Sequence, residues 1–243
     1  STKTMELDIL AFGAHPDDVE LGCGASIAKA VAQGKNVGII DLTQGEMGTR
    51  GNAKLRSSES HAAADILGVK FRENLNFKDA FIFNDSDHQM EVIRALRRYT
   101  PDVVLCNAVK DRHTDHAKAS DLVSHASFLS GLQRIETFNN QGYKQAAFRP
   151  QHVFHYIQWE ELTPDFVVDV SGYLDQKMEA IKVYKSQFYD ENAEGPQTPI
   201  SSLNFIESVA SRVKNMGRLI GKDAGEGFTT ERFLAVENID SLL

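Results

Sequence analysis

Two short polar segments carry the residue types that proteins use to bind divalent metal ions. Residues 14–18 are Ala-His-Pro-Asp-Asp, and residues 111–116 are Asp-Arg-His-Thr-Asp-His. Imidazole and carboxylate groups together form a common ligand set for zinc and similar ions. A catalytic zinc ion usually has three protein ligands and keeps one position open for water. The two segments therefore predict a hydrolytic metal site, provided that the fold brings them together.

The spacing within the segments assigns the metal ligands. His15 and Asp18 are three residues apart, so a turn that leads into a helix can direct both side chains at one point. The third ligand must come from the second segment, and we assign it to His116. His113 precedes His116 by three residues, which puts it on the same face, beside the open coordination position.

The remaining groups supply the proton chemistry. Asp17 immediately precedes the predicted ligand Asp18, and it is predicted to act as general base toward a water at the metal. Asp115 is predicted to hydrogen-bond His113 and to hold it as an imidazolium, which can stabilise an oxyanion or protonate an amine. A metal, a base and a cationic acid are the groups that amide hydrolysis requires.

Each segment taken alone has a simpler structural interpretation. A His near an Asp is common in turns, and Asp17 or Asp18 can cap the helix that follows. Two segments of the same composition, both at the ends of predicted strands, favour a catalytic site. A metal-binding or sugar-binding module without turnover remains the alternative class, although Asp17, His113 and Asp115 are the groups that turnover needs.

The elements around these segments predict an α/β fold. Residues 7–13 and 37–42 are apolar runs suited to buried strands, and apolar residues at helical spacing predict a helix over 18–33 between them. Another strand over 103–106 precedes the second segment. Because ligands of open α/β sheets bind at the carboxyl ends of the strands, both polar segments fall on the same sheet edge.

The rest of the chain continues the alternation, and we predict one domain over residues 1–243. Its core, about 5–135, is a mostly parallel sheet with helices on both faces. Residues from about 150 to 243 supply a small C-terminal cap region that packs on this core. Further helices are predicted near 53–67, 87–99, 172–186 and 202–220, and further strands over 153–157 and 166–170.

Charge and composition exclude several functional classes. The chain has 26 basic and 34 acidic residues, a formal net charge of -8, which argues against a nucleic-acid or anionic-membrane surface. No apolar run approaches the roughly 18 residues of a membrane-spanning helix, and we expect a cytoplasmic protein. The two cysteines, Cys23 and Cys106, are too few for a disulfide framework or a cysteine-rich zinc site.

A dinucleotide-binding interpretation of Gly22, Gly24 and Asp41 fails on position. The glycine pair lies inside the predicted first helix rather than at the turn that precedes it. A pyrophosphate needs the free backbone amides of a helix N-terminus, so this pair cannot bind one.

The segment Ala14-His15-Pro16-Asp17-Asp18, with the later His113-x-x-His116, resembles the LmbE-like, or PIG-L, family of metal-dependent deacetylases. Within that family, the chain is most similar to the N-acetylglucosaminyl-malate deacetylases of bacillithiol biosynthesis. The resemblance runs nearly end to end, over residues 12–24, 41–51, 111–116, 128–135, 165–172, 178–189 and 225–228.

This resemblance implies a Rossmann-like fold and a site for one divalent ion per chain, zinc or alternatively iron(II). It implies that His15, Asp18 and His116 bind the metal and that Asp17 is the base. It also implies that His113 with Asp115 is the electrostatic partner. The expected substrate is a small N-acetyl amino sugar, and the family suggests a homo-oligomer, a trimer or hexamer.

Several substrate-binding residues are carried over from the family. An arginine at position 56 holds sugar hydroxyls in relatives, although here an ion pair with Glu59 is an equal alternative. Glu46 and Asp79 match positions near the sugar pocket, but Ala80 follows Asp79 where a glycine is expected. Tyr184 matches a tyrosine that points at the oxyanion, although it also continues an apolar helical stripe.

The expected substrate has an anionic aglycone. Malate carries two carboxylates into a protein of net charge -8, and Arg50, Arg56 and Arg112 are the arginines that the loops offer to bind them. N-acetylglucosaminyl-malate is therefore the expected substrate. Another N-acetyl amino sugar, such as chitobiose or a glycolipid headgroup, is the alternative.

Overall fold

Helices and strands alternate along the chain in the computed structural model, which describes residues 5–242. The strands are β1 (Ile9–Gly13), β2 (Val37–Thr43), β3 (Phe71–Phe77), β4 (Val103–Cys106), β5 (His152–Tyr156), β6 (Phe166–Asp169) and β7 (Gly225–Thr230). The α-helices are α1 (Asp18–Ala32), α2 (Ala53–Leu67), α3 (Ser86–Tyr99), α4 (Thr114–Leu129), α5 (Leu174–Lys182) and α6 (Leu203–Leu219). A short 3-10 helix spans Ile239–Leu242.

Within residues 5–242, the seven strands form one sheet in the order β3-β2-β1-β4-β5-β7-β6. The first five in that order are parallel, whereas β7 runs antiparallel to β5 and to β6. The order reverses at β1, because β2 and β3 lie on one side of it and β4 and β5 on the other. This arrangement confirms the prediction of a mostly parallel α/β sheet.

The two faces of the sheet carry separate cores. Leu10 and Phe12 of β1 pack in one apolar cluster with residues of α3 and α4, whereas Ala11 between them packs in another with residues of α1, α2 and α5. Successive side chains of a strand point to opposite faces, so a strand covered on both sides must be apolar throughout. That requirement explains the continuous apolar run of β1.

Helix α1 contains the glycine pair that resembles a nucleotide motif. The helix is kinked at Cys23, and a Cβ atom on Gly22 would lie 2.2 Å from Cδ2 of Tyr156. Gly22 therefore permits close contact between α1 and the sheet. Its position inside the helix agrees with the rejection of a dinucleotide site.

The structure differs from the sequence expectations chiefly at the ends of the sheet. The sequence does not predict strands β3 and β7, since four of the seven residues of β3 are polar or charged and β7 begins Gly-Glu-Gly. Helix α5 ends at Lys182, four residues before the predicted end. The predicted C-terminal cap region instead extends the same sheet through β5, β7 and β6, and α6 packs against β7.

Residues 5–242 contain no helix that is both long and apolar enough to cross a membrane.

The packing of α6 on the sheet depends on one small residue, Gly217. A Cβ atom on Gly217 would lie 2.4 Å from the backbone nitrogen of Ala224 and 2.6 Å from its Cα. Gly217→Ala improves helix propensity by about 1 kcal/mol, but forcing the helix off the strand costs more. We expect the free energy of unfolding in urea to fall by about 1–3 kcal/mol.

Ser211→Ala, at an exposed position of the same helix, is the matched control, and its effect should stay within about 0.5 kcal/mol. A Gly217→Ala variant as stable as the parent protein would show that α6 tolerates a shift away from β7.

Candidate active site

The two polar segments meet where the strand order reverses. The carboxyl ends of β1 and β4 are adjacent in the sheet, and residues 14–18 and 107–116 follow them directly. A cavity of about 600 Å³ opens at this edge, a size typical of small-molecule sites. Its lining includes all three predicted metal ligands, the predicted base and His113. The structure thus brings together the residues that the sequence predicted to act together.

Asp18 lies between the two predicted histidine ligands. One carboxylate oxygen, Oδ1, is 3.2 Å from Nε2 of His116, and the other, Oδ2, is 3.5 Å from Nδ1 of His15. Oδ2 also accepts hydrogen bonds from the His15 backbone N–H and from Nδ2 of Asn107. Burial disfavours the charged carboxylate, but His116 and His15 outweigh it and hold the pKa of Asp18 well below its usual range.

Both histidines have their second ring nitrogen against another carboxylate. Nε2 of His15 is 3.0 Å from Asp115 Oδ2 and 3.1 Å from Asp79 Oδ1, and Nδ1 of His116 is 2.5 Å from Asp111 Oδ2. Carboxylates in these positions orient metal-binding histidines and make them better ligands. The nitrogens that face Asp18 are therefore the ones available to a metal, and the donor set fits a divalent ion such as zinc.

His113 completes a group of three imidazoles. Ring nitrogens of His15, His113 and His116 all lie within 4.8 Å of one another, and the His113 ring centroid is 4.6 Å from that of His15. Burial, and then the neighbouring charges of His15 and His116, lower the pKa of His113 below its usual value. The expectation that His113 is held as an imidazolium therefore does not agree with its surroundings.

Asp115 does not pair with the His113 ring, and that prediction is wrong. Its Oδ2 contacts His15 and accepts a hydrogen bond from the Ala80 backbone, while its Oδ1 is buried without a partner among residues 5–242. The contact with His113 is made by the Asp115 backbone N–H, which donates to Nδ1 of that ring at 3.2 Å. The helix start at Thr114 explains this, because it directs the Asp115 side chain back under the first segment.

Asp17, the predicted base, is paired with a buried arginine. Nη2 of Arg56 donates to Asp17 Oδ2 at 2.8 Å and to the Pro16 carbonyl at 2.9 Å. Burial nevertheless raises the pKa of Asp17 to about 7, and Arg56 opposes that rise. The backbone of Asp17 has a φ of 120°, a conformation that only a well-determined surrounding structure maintains. The carboxylate is thus held rigidly at a pKa suited to a general base.

These contacts correct two expectations. Arg56 does not form the ion pair with Glu59, whose carboxylate instead accepts hydrogen bonds from Ser186. Asp17 stands at the N-cap position of α1, yet its side chain caps no backbone N–H. The simpler structural interpretations of Arg56 and Asp17 are therefore not observed.

Asp79 lines the cavity, whereas Glu46 lies outside the cavity and contacts the backbone of Asp79. Glu46 is exposed, and its Oε1 accepts a hydrogen bond from the Asp79 backbone N–H at 2.8 Å. Asp79 in turn accepts from the backbone of Met47. Ala80 adopts a φ of 65°, the left-handed region that favours glycine, which explains why the family pattern has glycine there.

Tyr184 does not reach the cavity, so the expectation of a substrate contact is wrong. Its side chain is fully buried, and its hydroxyl donates to Glu20 Oε1 at 2.9 Å. Arg72 bridges Glu20 and Asp41 in the same buried network. The apolar stripe of the preceding helix was therefore the correct guide to this tyrosine.

Arg50, Arg56 and Arg112, the three arginines named for an anionic substrate, all line the cavity, and Arg56 is already paired with Asp17. The guanidinium carbon of Arg112 lies 4.6 Å from the ring centroid of Trp159. Gln158 is the residue before Trp159. Its Oε1 accepts a hydrogen bond from Nδ2 of Asn107, and its Nε2 lies 3.5 Å from Nε2 of His116. Sequence reasoning missed Gln158 and Trp159, although they follow the carboxyl end of β5 and the same strand-end rule indicates them.

Comparison with known proteins identifies relatives of the whole chain. It is 35% identical to the solved structure of protein TT1542 from Thermus thermophilus, with a TM-score of 0.83, and the alignment covers 95% of this chain and 97% of that one. A diacetylchitobiose deacetylase from Thermococcus kodakarensis is 28% identical over 197 residues, which is 75% of this chain and 71% of that protein. An uncharacterized deacetylase of Escherichia coli, YaiS, is 40% identical over 124 residues, which is 48% of this chain and 65% of that protein.

A protein-family model matches the part of the chain that carries the site. The model is described as PIG-L, GlcNAc-PI de-N-acetylase, and it matches residues 10–127, which include both polar segments. The rest of the sheet is shared with the relative that is 35% identical over nearly its whole length. The chain therefore belongs to the PIG-L, or LmbE-like, family of hydrolytic N-deacetylases.

Proposed function

We propose that the protein is a zinc-dependent hydrolase that removes the N-acetyl group from an N-acetylglucosamine conjugate. The observation that supports this most is the position of Asp18 between His15 and His116, with Asp17 beside it at the same cavity. Three ligands and an adjacent base are the arrangement that metal-assisted hydrolysis needs. The proposed substrate is N-acetylglucosaminyl-malate, as in bacillithiol biosynthesis, and the products are acetate and the free amine.

His15, Asp18 and His116 would hold the ion, with zinc proposed and iron(II) as the alternative. When bound, the ion supplies Lewis-acid polarisation of the amide carbonyl and lowers the pKa of a water molecule. Asp79, Asp111 and Asp115 fix the orientation of the two imidazoles through their outer nitrogens. One aspartate and two histidines as ligands would leave one position of a four-coordinate zinc ion open.

Asp17 performs the proton transfers. Its ionised carboxylate accepts a proton from the attacking water as the new C–O bond forms, and it returns that proton to the amine nitrogen as the C–N bond breaks. Arg56 holds the carboxylate in place with a 2.8 Å hydrogen bond and lowers its pKa toward the working range. His113 lines the same cavity, with its ring centroid 4.6 Å from that of His15, and its ring would donate a hydrogen bond to the amide oxygen.

The cavity favours a conjugate larger than a single sugar. A volume of about 600 Å³ accommodates an amino sugar together with an aglycone. Arg50 and Arg112 provide positive charge for carboxylates in a chain of net charge -8. A neutral disaccharide is the second candidate, because the relative from Thermococcus kodakarensis is a diacetylchitobiose deacetylase.

The first test of the function measures how the rate of acetate release depends on the substrate and on zinc. Acetate release is measured with N-acetylglucosaminyl-malate, free N-acetylglucosamine and diacetylchitobiose, on enzyme that has been treated with a chelator and then returned to zinc. We expect the malate conjugate to have the highest kcat/KM, with the advantage narrowing as salt rises. Full activity in verified metal-free enzyme would contradict the zinc site, and equal rates on the three sugars would contradict the malate assignment.

Replacement of the base separates chemistry from metal binding. Asp17→Asn should lower kcat by about 10²–10⁴, because the amide cannot accept a proton, while zinc content and KM change little. Asp65→Asn, on the exposed face of α2, is the control and should retain full activity. Loss of zinc from the Asp17 variant would instead identify Asp17 as a metal ligand.

The pairing of Arg56 with Asp17 predicts a shift in pH dependence. Arg56 lowers the pKa of Asp17, and Asp17 acts in its ionised form, so activity falls as pH drops through that pKa. Arg56→Gln removes the charge, and the acidic limb of the kcat/KM profile should therefore move to higher pH. Arg56→Lys keeps the charge and should leave the limb closer to that of the parent enzyme. An unmoved or lowered limb in Arg56→Gln would show that another group controls it.

A further inference from the structure

We infer that Arg212, together with Arg112, forms a carboxylate-binding subsite on Trp159, which receives the anionic aglycone. The inference rests on the proposed deacetylase function, and it adds a specificity residue that no sequence pattern indicated. Arg212 lies in α6, one hundred residues after Arg112, and the fold brings the two to the same residue, Trp159.

Helix α6 forms a wall of the cavity. Phe205, Val209, Arg212 and Met216 line it at spacings of four, three and four residues, which place them on one face of the helix. The metal-binding residues follow β1 and β4 elsewhere along the same cavity. A substrate whose amide lies at the metal site can therefore extend its aglycone toward α6.

Trp159 anchors both arginines. The guanidinium carbon of Arg112 lies 4.6 Å from the Trp159 ring centroid, and Nη2 of Arg212 donates to the Trp159 carbonyl at 2.9 Å. The Trp159 ring also stacks on Phe205, with centroids 5.7 Å apart and an angle of 15° between the planes. Both cations thus contact one residue, which reduces the entropy lost when a ligand orders them.

Two other cations that line the cavity are paired with carboxylates. Arg56 is bound to Asp17, and Lys177 is bound to Glu226 at 2.5 Å. Across residues 5–242, neither Arg112 nor Arg212 has a carboxylate oxygen within 4 Å of its guanidinium nitrogens. Nε and Nη1 of Arg212 likewise have no hydrogen-bond partner in that part of the protein. These donors remain free for an anion.

The chemistry of the free donors favours a carboxylate. Arg212 is half-buried and forms no direct ion pair within residues 5–242. Burial lowers its pKa, and the more distant charges of Glu161 and Asp111 oppose that change only in part. An incoming carboxylate restores the lost interactions and forms charge-assisted hydrogen bonds, for which the planar guanidinium fork is suited. Two such arginines match an aglycone with two carboxylates.

The test compares a charged substrate with a neutral one of nearly the same shape. Kinetics are measured on N-acetylglucosaminyl-malate and on its dimethyl ester, for the zinc-loaded parent enzyme, Arg212→Gln and Arg212→Lys. Arg218→Gln is the matched control, because Arg218 lies exposed on the same helix and bonds only Asn215.

We expect Arg212→Gln to lower kcat/KM for the diacid by about 10–100-fold, mainly through KM, as for the loss of a charge-assisted hydrogen bond. The dimethyl ester should change by less than about threefold, because it presents no carboxylate for the lost cation to bind. Arg212→Lys should fall between the parent enzyme and Arg212→Gln. Arg218→Gln should match the parent enzyme on both substrates.

Equal losses on the diacid and the ester would overturn the subsite and assign Arg212 a structural role in α6. Acetate release from the ester with no preference for the diacid would leave the deacetylase function standing and remove the subsite. If neither substrate releases acetate, the proposed function fails, and calorimetric titration of malate then decides the subsite separately. Saturable malate binding that is lost in Arg212→Gln supports it, and binding equal in both proteins, or absent from both, overturns it.

Discussion

The site depends on one buried carboxylate that joins two segments almost a hundred residues apart. Asp18 contacts His15 from its own segment and His116 from the segment that follows β4. Asn107, at the end of β4, donates a further hydrogen bond to the same carboxylate. Because β1 and β4 are adjacent parallel strands, their carboxyl ends are the one place where these groups can meet. The position of Asp18 is therefore a consequence of the strand order as much as of the local motif.

A second buried charge network supports the start of α1 from behind. Arg72 on β3 bonds both Glu20 on α1 and Asp41 on β2, and Tyr184 donates to Glu20 from the other side. Buried ion pairs contribute little net stability after desolvation, but removal of one partner leaves an uncompensated charge. This network connects the first turn of α1 to two strands. It thereby restricts movement of the turn that carries Asp17 and Asp18.

The acidic residues around His15 and His116 fix the orientation of the two imidazole rings. Asp115 and Asp79 contact the outer nitrogen of His15, and Asp111 contacts that of His116. Glu46 holds the backbone of Asp79 from the surface. The same pattern recurs at Asp17, whose partner Arg56 is itself fixed by the Pro16 carbonyl. His15, His116 and Asp17 are thus each held in place by at least one neighbouring charged side chain.

The sequence by itself determined the α/β class, and it predicted that His15, Asp17, Asp18 and His116 lie together, as they do at one cavity in the structure. Buried parallel strands must be apolar throughout, and strand ends are where such sheets bind ligands, so both facts could be read from 7–13 and 103–106. Strands β3 and β7 could not be predicted, because the first is mostly polar and the second begins with two glycines around a glutamate, so neither has the apolar pattern of a buried strand. Only the tertiary structure decided the partners of long side chains. Asp115 faces His15 rather than His113, and Tyr184 faces Glu20 rather than the cavity, because side-chain contacts across elements depend on packing that sequence spacing does not encode.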